Sequence, residues 1–304
     1  MGIHLGSDKP SDLQTAVAMI PPGSMVALGG GLSARLPMAL VREVIRAGIG
    51  DLHVVGSAHS IDVDMLAAAG LISVCEESYV GYEQDLGLAP AFRRAAQKGD
   101  LEARESCCDT ILTQLRAAEM GLSFLPVHGV KGTDIESLHP EYGRITCPFT
   151  DHEYVVVPPL SPDVALIHAP IGDRQGNLHI EQPYVLDERF AVASAQVIAT
   201  VDRIVSTREV VEAGIVIPFY RVSALVEVPF GAHPTSCYPG YAYDRNHLSA
   251  WVTAAGTPEG AGDYLRNYVT GVDEAGYRRR IGPERLEHLT GYQASEETWM
   301  EIFR

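Results

Sequence analysis

Short, nearly uninterrupted apolar runs alternate with helical patterns along the first half of the chain, and this alternation constrains the fold more than any single motif. "MVALGG" at 25–30, "DLHVVG" at 51–56 and "LISVCEE" at 71–77 read as strands. The segments between and after them, "PMALVREVIRAG", "DMLAAAG", "APAFRRAAQKG" (Ala89–Gly99) and "CDTILTQLRAAEMG" (Cys108–Gly121), read as helices. Pro37 sits at the first position of one helix, and Gly48, Gly99 and Gly121 close three of them. Strands apolar on both faces and joined by helices belong in a parallel sheet covered on both sides. From about Gly129 to Asp151 the periodicity breaks and a surface excursion is expected. Strands resume at "YVVVPP", "VALIHAP", "QVIATVDRIV" and "SALVEVP". The expectation is an α/β fold: one domain over 1–304, a largely parallel doubly wound sheet flanked by helices, an elaborated C-terminal third and a helical tail from about residue 260.

Composition narrows the function. The 304 residues carry 39 Asp and Glu against 23 Lys and Arg, a net charge of −16. Such a surface repels nucleic acid and anionic membrane. No run approaches eighteen apolar residues, and the start lacks a secretory leader pattern. Five cysteines (Cys75, Cys107, Cys108, Cys147, Cys237) without C-x-x-C spacing indicate reduced thiols and a cytoplasmic protein. Eleven histidines without ligand spacing argue against a metal.

The turn after the first strand is the sharpest local feature. Gly29-Gly30-Gly31-Leu32-Ser33-Ala34 satisfies G-x-G-x-x-A, but the acid a dinucleotide site needs after its second strand is missing, since Asp51 precedes that strand. No Gly-Lys-Ser/Thr follows, which excludes a P-loop. Two readings stay open: the glycines permit close strand–helix packing, or their amides hold an anion at a helix N-terminus.

"PPGSMVALGGGLSARLPMALV" resembles the N-terminal signature of family I CoA-transferases, although Gly31 and Arg35 stand where that signature commonly has Phe and Gly. "GIGDLHVVGSAHSIDVDMLAAAGLI", "AEMGLSFLPVHGVKGTDI", "VPPLSPDVALIHAPIGDRQGNLHI" and "GAHPTSCYPGYAYD" are similar, in the same order, to segments of the A subunit of glutaconate CoA-transferase. The resemblance implies a homologous B subunit in a heterodimer or heterotetramer. It implies acyl-CoA and carboxylic acid substrates, with coenzyme A as a substrate and not a permanently bound cofactor. It further implies that the amides of Gly29, Gly30 and Gly31 serve as an oxyanion hole, with Arg35 and Lys131 as contacts for CoA phosphates or a substrate carboxylate. In this family a glutamate attacks the acyl-CoA, and the resulting anhydride is converted to an enzyme–CoA thioester. In two-chain members that glutamate sits on the B subunit, and no Ser-Glu-Asn-Gly motif occurs here.

The carboxylate singled out on this chain is Glu105. As a strand, "LEARES" turns Glu102 and Arg104 to one side and Ala103 and Glu105 to the other, and places Glu105 at the strand's C-terminal end just before a helix. The segment also resembles a Glu-Ala-Arg-Glu run in the A subunit of steroid-ring-opening acyl-CoA hydrolases, in which the last glutamate is implicated in cleavage by water. A hydrolase of a cyclic or β-keto acyl-CoA, with Glu105 as general base, is therefore the second reading; a non-catalytic scaffold subunit is the third. Glu77 and Ser78 are candidates for the cleft, His233 for a polar group between subunits, and His168 for a core histidine.

Overall fold

A computed structural model describes residues 8–182 and 184–291. Its centre is an eight-stranded sheet. The strands are β1 (Met25–Leu28), β2 (Leu52–Val55), β3 (Ile72–Glu77), β4 (Glu102–Glu105), β5 (Val164–Asp173), β6 (Leu178–His179), β7 (Gln196–Val205) and β8 (Val222–Glu227). They run in the order β8-β7-β5-β1-β2-β3-β4, with β6 hung on β5. Every pairing is parallel except β5 with β6. The chain starts at the centre, steps outward through β2, β3 and β4, then crosses back to β5 on the other side of β1. The strand order therefore reverses between β1 and β5, where open α/β sheets place their ligands.

Period-two alternation feeds two cores. Val26 and Leu28 of β1 pack into the core shared with the helices Met38–Ala47, Ile61–Ala68 and Pro90–Lys98. Ala27 packs into the other, with Ile111 and Leu115 of Cys108–Met120 and Phe190 of Asp187–Ala193. The doubly wound expectation holds.

The Met38–Ala47 helix begins directly after Pro37 and ends at Gly48, whose φ of +65° closes it. It is buried even at Arg42, because the C-terminal helices lie over it. Arg42 forms a two-pronged pair with Glu274, at 2.8 Å from Nε and 2.7 Å from Nη2. Helix starts earlier than the sequence pattern indicates, at Arg245, so the C-terminal helical region reaches back beyond residue 260.

The 129–151 segment also differs from a featureless loop. It contributes a short helix, Asp134–Leu138, and a strand, Gly143–Thr146. That strand forms a separate antiparallel three-stranded sheet with Leu125–Val127 and Glu153–Val157. "YVVVPP" thus belongs to this small sheet and not to the central one; Val127, Val130, Val155 and Val157 give it a core of its own.

Candidate functional site

β1 ends at Leu28 and the chain enters the glycine turn at the reversal point of the sheet. Gly30 has φ +73°, and a Cβ there would lie 2.5 Å from the carbonyl oxygens of Ala34 and Arg35, so only glycine fits. At Gly29 a Cβ would come within 2.8 Å of Asp187 Oδ1. The turn is thus stripped of side chains where a carboxylate enters. Asp187, the first residue of its helix, is fully buried; its Oδ1 accepts the Gly30 N–H at 2.9 Å and its Oδ2 pairs with Arg35 Nη2 at 2.9 Å. Burial raises the Asp187 pKa more than Arg35 and the Gly30 amide lower it.

The other two amides are also engaged. Gly29 donates to Leu166 O at 2.9 Å and Gly31 to Ala34 O at 2.9 Å. This corrects the expectation that three free amides face a bound oxyanion: the anion held at the turn is the chain's own Asp187. Arg35, expected to face substrate or CoA, is 4% exposed and turned inward to the same carboxylate.

Hydrogen bonds tie this turn to the segment after β2. Leu32 N–H donates to Ala58 O at 2.9 Å and Ser60 Oγ to Leu32 O at 2.5 Å. Next in line is His59, buried, with Nδ1 2.6 Å from Asp62 Oδ2. Asp62 also accepts the Ser60 N–H at 3.1 Å, as an acid in the first turn of its helix can. On the other side of the imidazole stands Glu77, at the end of β3. A Cβ on Gly56 would collide with Glu77 Oε1 and fall 2.7 Å from His59 Nε2, so that glycine leaves room for both groups.

The electrostatics of this trio follow from its burial. Neither Glu77 carboxyl oxygen has a hydrogen-bond partner, and burial pushes the group up to about 8. Burial alone would push His59 down, but the carboxylates of Glu77 and Asp62 outweigh it and lift the imidazole to about 9, with Asp187 adding to the effect. Burial thus favours the protonated form of Glu77, while the carboxylates around His59 favour the protonated imidazole.

Glu105 lies in register with Glu77 on the neighbouring strand. β4 is the edge of the sheet, and Glu105 is exposed. Its carboxylate has no hydrogen bond or ion pair among the described residues, while its backbone carbonyl meets His139 Nε2 at 2.7 Å. Ser78 bridges the strand ends, its Oγ bonded to Ser57 O and 2.9 Å from Cys108 Sγ. The structure thus gathers Gly29, Gly30, Gly31 and Arg35 with Glu77, and sets Ser78 and Glu105 along the adjoining edge. It does not bring in Lys131, which sits in the small-sheet excursion and pairs with Glu153 at 3.3 Å. His233 is wholly inside the chain, bonded to Tyr277 Oη at 2.7 Å and Asp244 Oδ2 at 3.2 Å, which overturns its reading as an intersubunit group.

Asp187, His59 and Asp62 are residues of this candidate site that the sequence did not single out. His59-x-x-Asp62 carried a faint signal, since a polar pair at a helix start after a glycine-ended strand is a common place for active groups. Asp187 carried none.

A family model described as Coenzyme A transferase matches residues 11–228. The chain is 31% identical over 301 residues to the A subunit of glutaconate CoA-transferase from Acidaminococcus fermentans, covering 92% of this chain and 94% of that one. The crystal structure of that transferase superposes with a TM-score of 0.88 at 30% identity, over 92% of this chain and 95% of the other. A cholesterol ring-cleaving hydrolase IpdA subunit of Mycobacterium tuberculosis is 30% identical over 286 residues, or 90% of this chain and 97% of that protein. A protein of Archaeoglobus fulgidus is 32% identical over 289 residues; the alignment takes in 93% of this chain and 64% of that longer relative.

Proposed function

The chain belongs to the coenzyme A transferase family, and from that premise we propose that it is the A half of a two-chain enzyme moving CoA between an acyl-CoA and a carboxylic acid. One observation carries this reading: of the described carboxylates at the reversal point and on β3, three are bonded within the chain and the fourth, Glu77, is buried. Asp187 is bonded to Gly30 and Arg35, Asp62 to His59 and Ser60, and Glu76 lies 3.3 Å from His53 Nε2 and 3.7 Å from Arg104 Nη1. Glu77 is buried, and that burial favours its protonated form. A carboxylate that attacks a thioester must be anionic, reachable and partly desolvated. None of these four meets all three conditions, and Glu105 on the edge strand is exposed and not desolvated, so this reading takes the nucleophile from the homologous B subunit. This chain supplies the floor of the cleft: a turn held rigid by Asp187, with His59 beside it.

The test is reconstitution. The chain alone transfers no CoA to any carboxylic acid, and the complex with its B subunit does. Full transfer by the isolated chain would overturn the proposal.

Glu105 favours a second reading. It is the one carboxylate of β3 and β4 that is both open and, among the described residues, without a partner. A general base that draws a proton from water needs those properties, so the same architecture would serve a hydrolase of an acyl-CoA.

A further inference from the structure

Between β5, β7 and the loop that follows β8, a second cluster takes no part in the chemistry above. β5 and β7 pair His168 with Thr200, and His168 Nδ1 lies 2.8 Å from Thr200 Oγ1. Asp202, two residues beyond Thr200, faces the same side. The loop after β8 folds back over this face and delivers Cys237, pinned by backbone bonds in both directions with Tyr241. One ligand atom from each of His168, Asp202 and Cys237 lies within 4.8 Å of the others.

One buried nitrogen of the cluster is left without a hydrogen bond. His168 is fully buried, yet its Nε2 has no hydrogen-bond partner. Asp202 Oδ1 stands 3.4 Å from that nitrogen, 3.4 Å from the Gly231 amide and 3.4 Å from Tyr241 Oη. The Gly231 and Tyr241 contacts are long hydrogen bonds, beyond the roughly 2.7–3.2 Å of the commonest ones, and the Cys237 thiol also bonds to Asp202. An oxygen and a nitrogen bound tetrahedrally to one zinc ion at about 2.0–2.1 Å would lie roughly 3.3 Å apart, close to what is seen. Gly231 contributes as well, since a Cβ there would be 2.7 Å from His168 Cε1.

We propose that His168, Asp202 and Cys237 form a binding site for one divalent transition-metal ion of the zinc class. Thiolate and imidazole together disfavour magnesium and calcium, which take oxygen ligands. Thr200 fixes the imidazole so that Nδ1 carries the proton and Nε2 faces the ion. Binding displaces the Cys237 thiol proton to solvent, so one thiolate and one carboxylate balance the ion's charge. Asp202 also lines a cavity of about 620 Å³ with Ile171, Phe230, Gly240 and Tyr241, which gives the fourth coordination position access to water or a small ligand.

The full chain, untagged and purified from zinc-supplemented cells, tests this by elemental analysis. The expected content is about one zinc per chain. After chelation, cobalt(II) added to the folded chain should produce a thiolate-to-cobalt charge-transfer band, which Cys237→Ser abolishes. Asp202→Asn should weaken zinc binding at least ~10-fold, with folding checked by circular dichroism. A folded wild-type chain that holds under about a tenth of an equivalent and gives no cobalt band would overturn the proposal. It would leave a cluster of polar groups around Asp202 and no metal site. A band that survives Cys237→Ser would overturn it equally.

Discussion

Glu77 and Glu105 occupy paired positions on adjacent parallel strands, yet Glu77 is 6% exposed and Glu105 lies open to solvent. The difference comes from sheet order: β3 is flanked by β2 and β4, whereas β4 is the edge. Two identical side chains on one face thereby acquire opposite settings, one buried in the protein and one open to water.

The first prediction concerns pH. Folding raises Glu77 from 4.5 to about 8 and His59 from 6.5 to about 9. The folded chain then binds more protons than the unfolded one between those values, so its stability falls as pH rises from about 4.5 to about 9. Glu77→Gln removes the carboxyl and its pull on His59, and should flatten that slope by on the order of 2–4 kcal/mol across the range. Thermal unfolding of both proteins at a series of pH values checks this; parallel curves would contradict it.

The second separates neighbouring glycines. Gly30→Ala meets both a positive φ and backbone oxygens at 2.5 Å, and should cost about 3 kcal/mol or more. Gly31 has no positive φ, and its Cβ would meet Val185 Cγ1 at 3.1 Å, a contact that a small shift relieves. Gly31→Ala should therefore cost under about 1.5 kcal/mol. Equal losses in denaturant unfolding would show that the turn's geometry is not the cause.

Asp187→Asn tests what holds the turn. Asparagine keeps an acceptor for the Gly30 N–H but removes the charge facing Arg35. Loss of one partner of a buried pair costs about 3–5 kcal/mol. The double variant Arg35→Met/Asp187→Asn should recover part of that loss, and no recovery in a double-mutant cycle would mean the two side chains are not coupled.

The sheet was legible because its strands are apolar on both faces and its helices end at glycines such as Gly48 and Gly121, both in left-handed conformation. The position of Glu105 at a strand end was legible for a similar local reason. What the sequence hides depends on contacts between distant positions. Asp187 reaches Gly30 across 157 residues, so the glycines suggested an anion without revealing that the chain provides it. "YVVVPP" has the period of any strand, and nothing in it marks the separate small sheet. His168, Asp202 and Cys237 lack ligand spacing because two strands and a returning loop, not a local motif, bring them together.

The claim that the nucleophile lies on the partner chain is tested most directly by trapping. The two-chain complex is incubated with acyl-CoA, treated with borohydride to reduce an enzyme–CoA thioester, and each chain is mapped by mass spectrometry. The expected result is a reduced glutamate on the B subunit, none on this chain, and a Glu105→Gln complex within ~10-fold of wild-type transfer. No trapped glutamate on either chain, no transfer to any acid, and a ~10²–10⁴-fold loss of acyl-CoA cleavage in Glu105→Gln would contradict the claim and establish Glu105 as the base of a hydrolase.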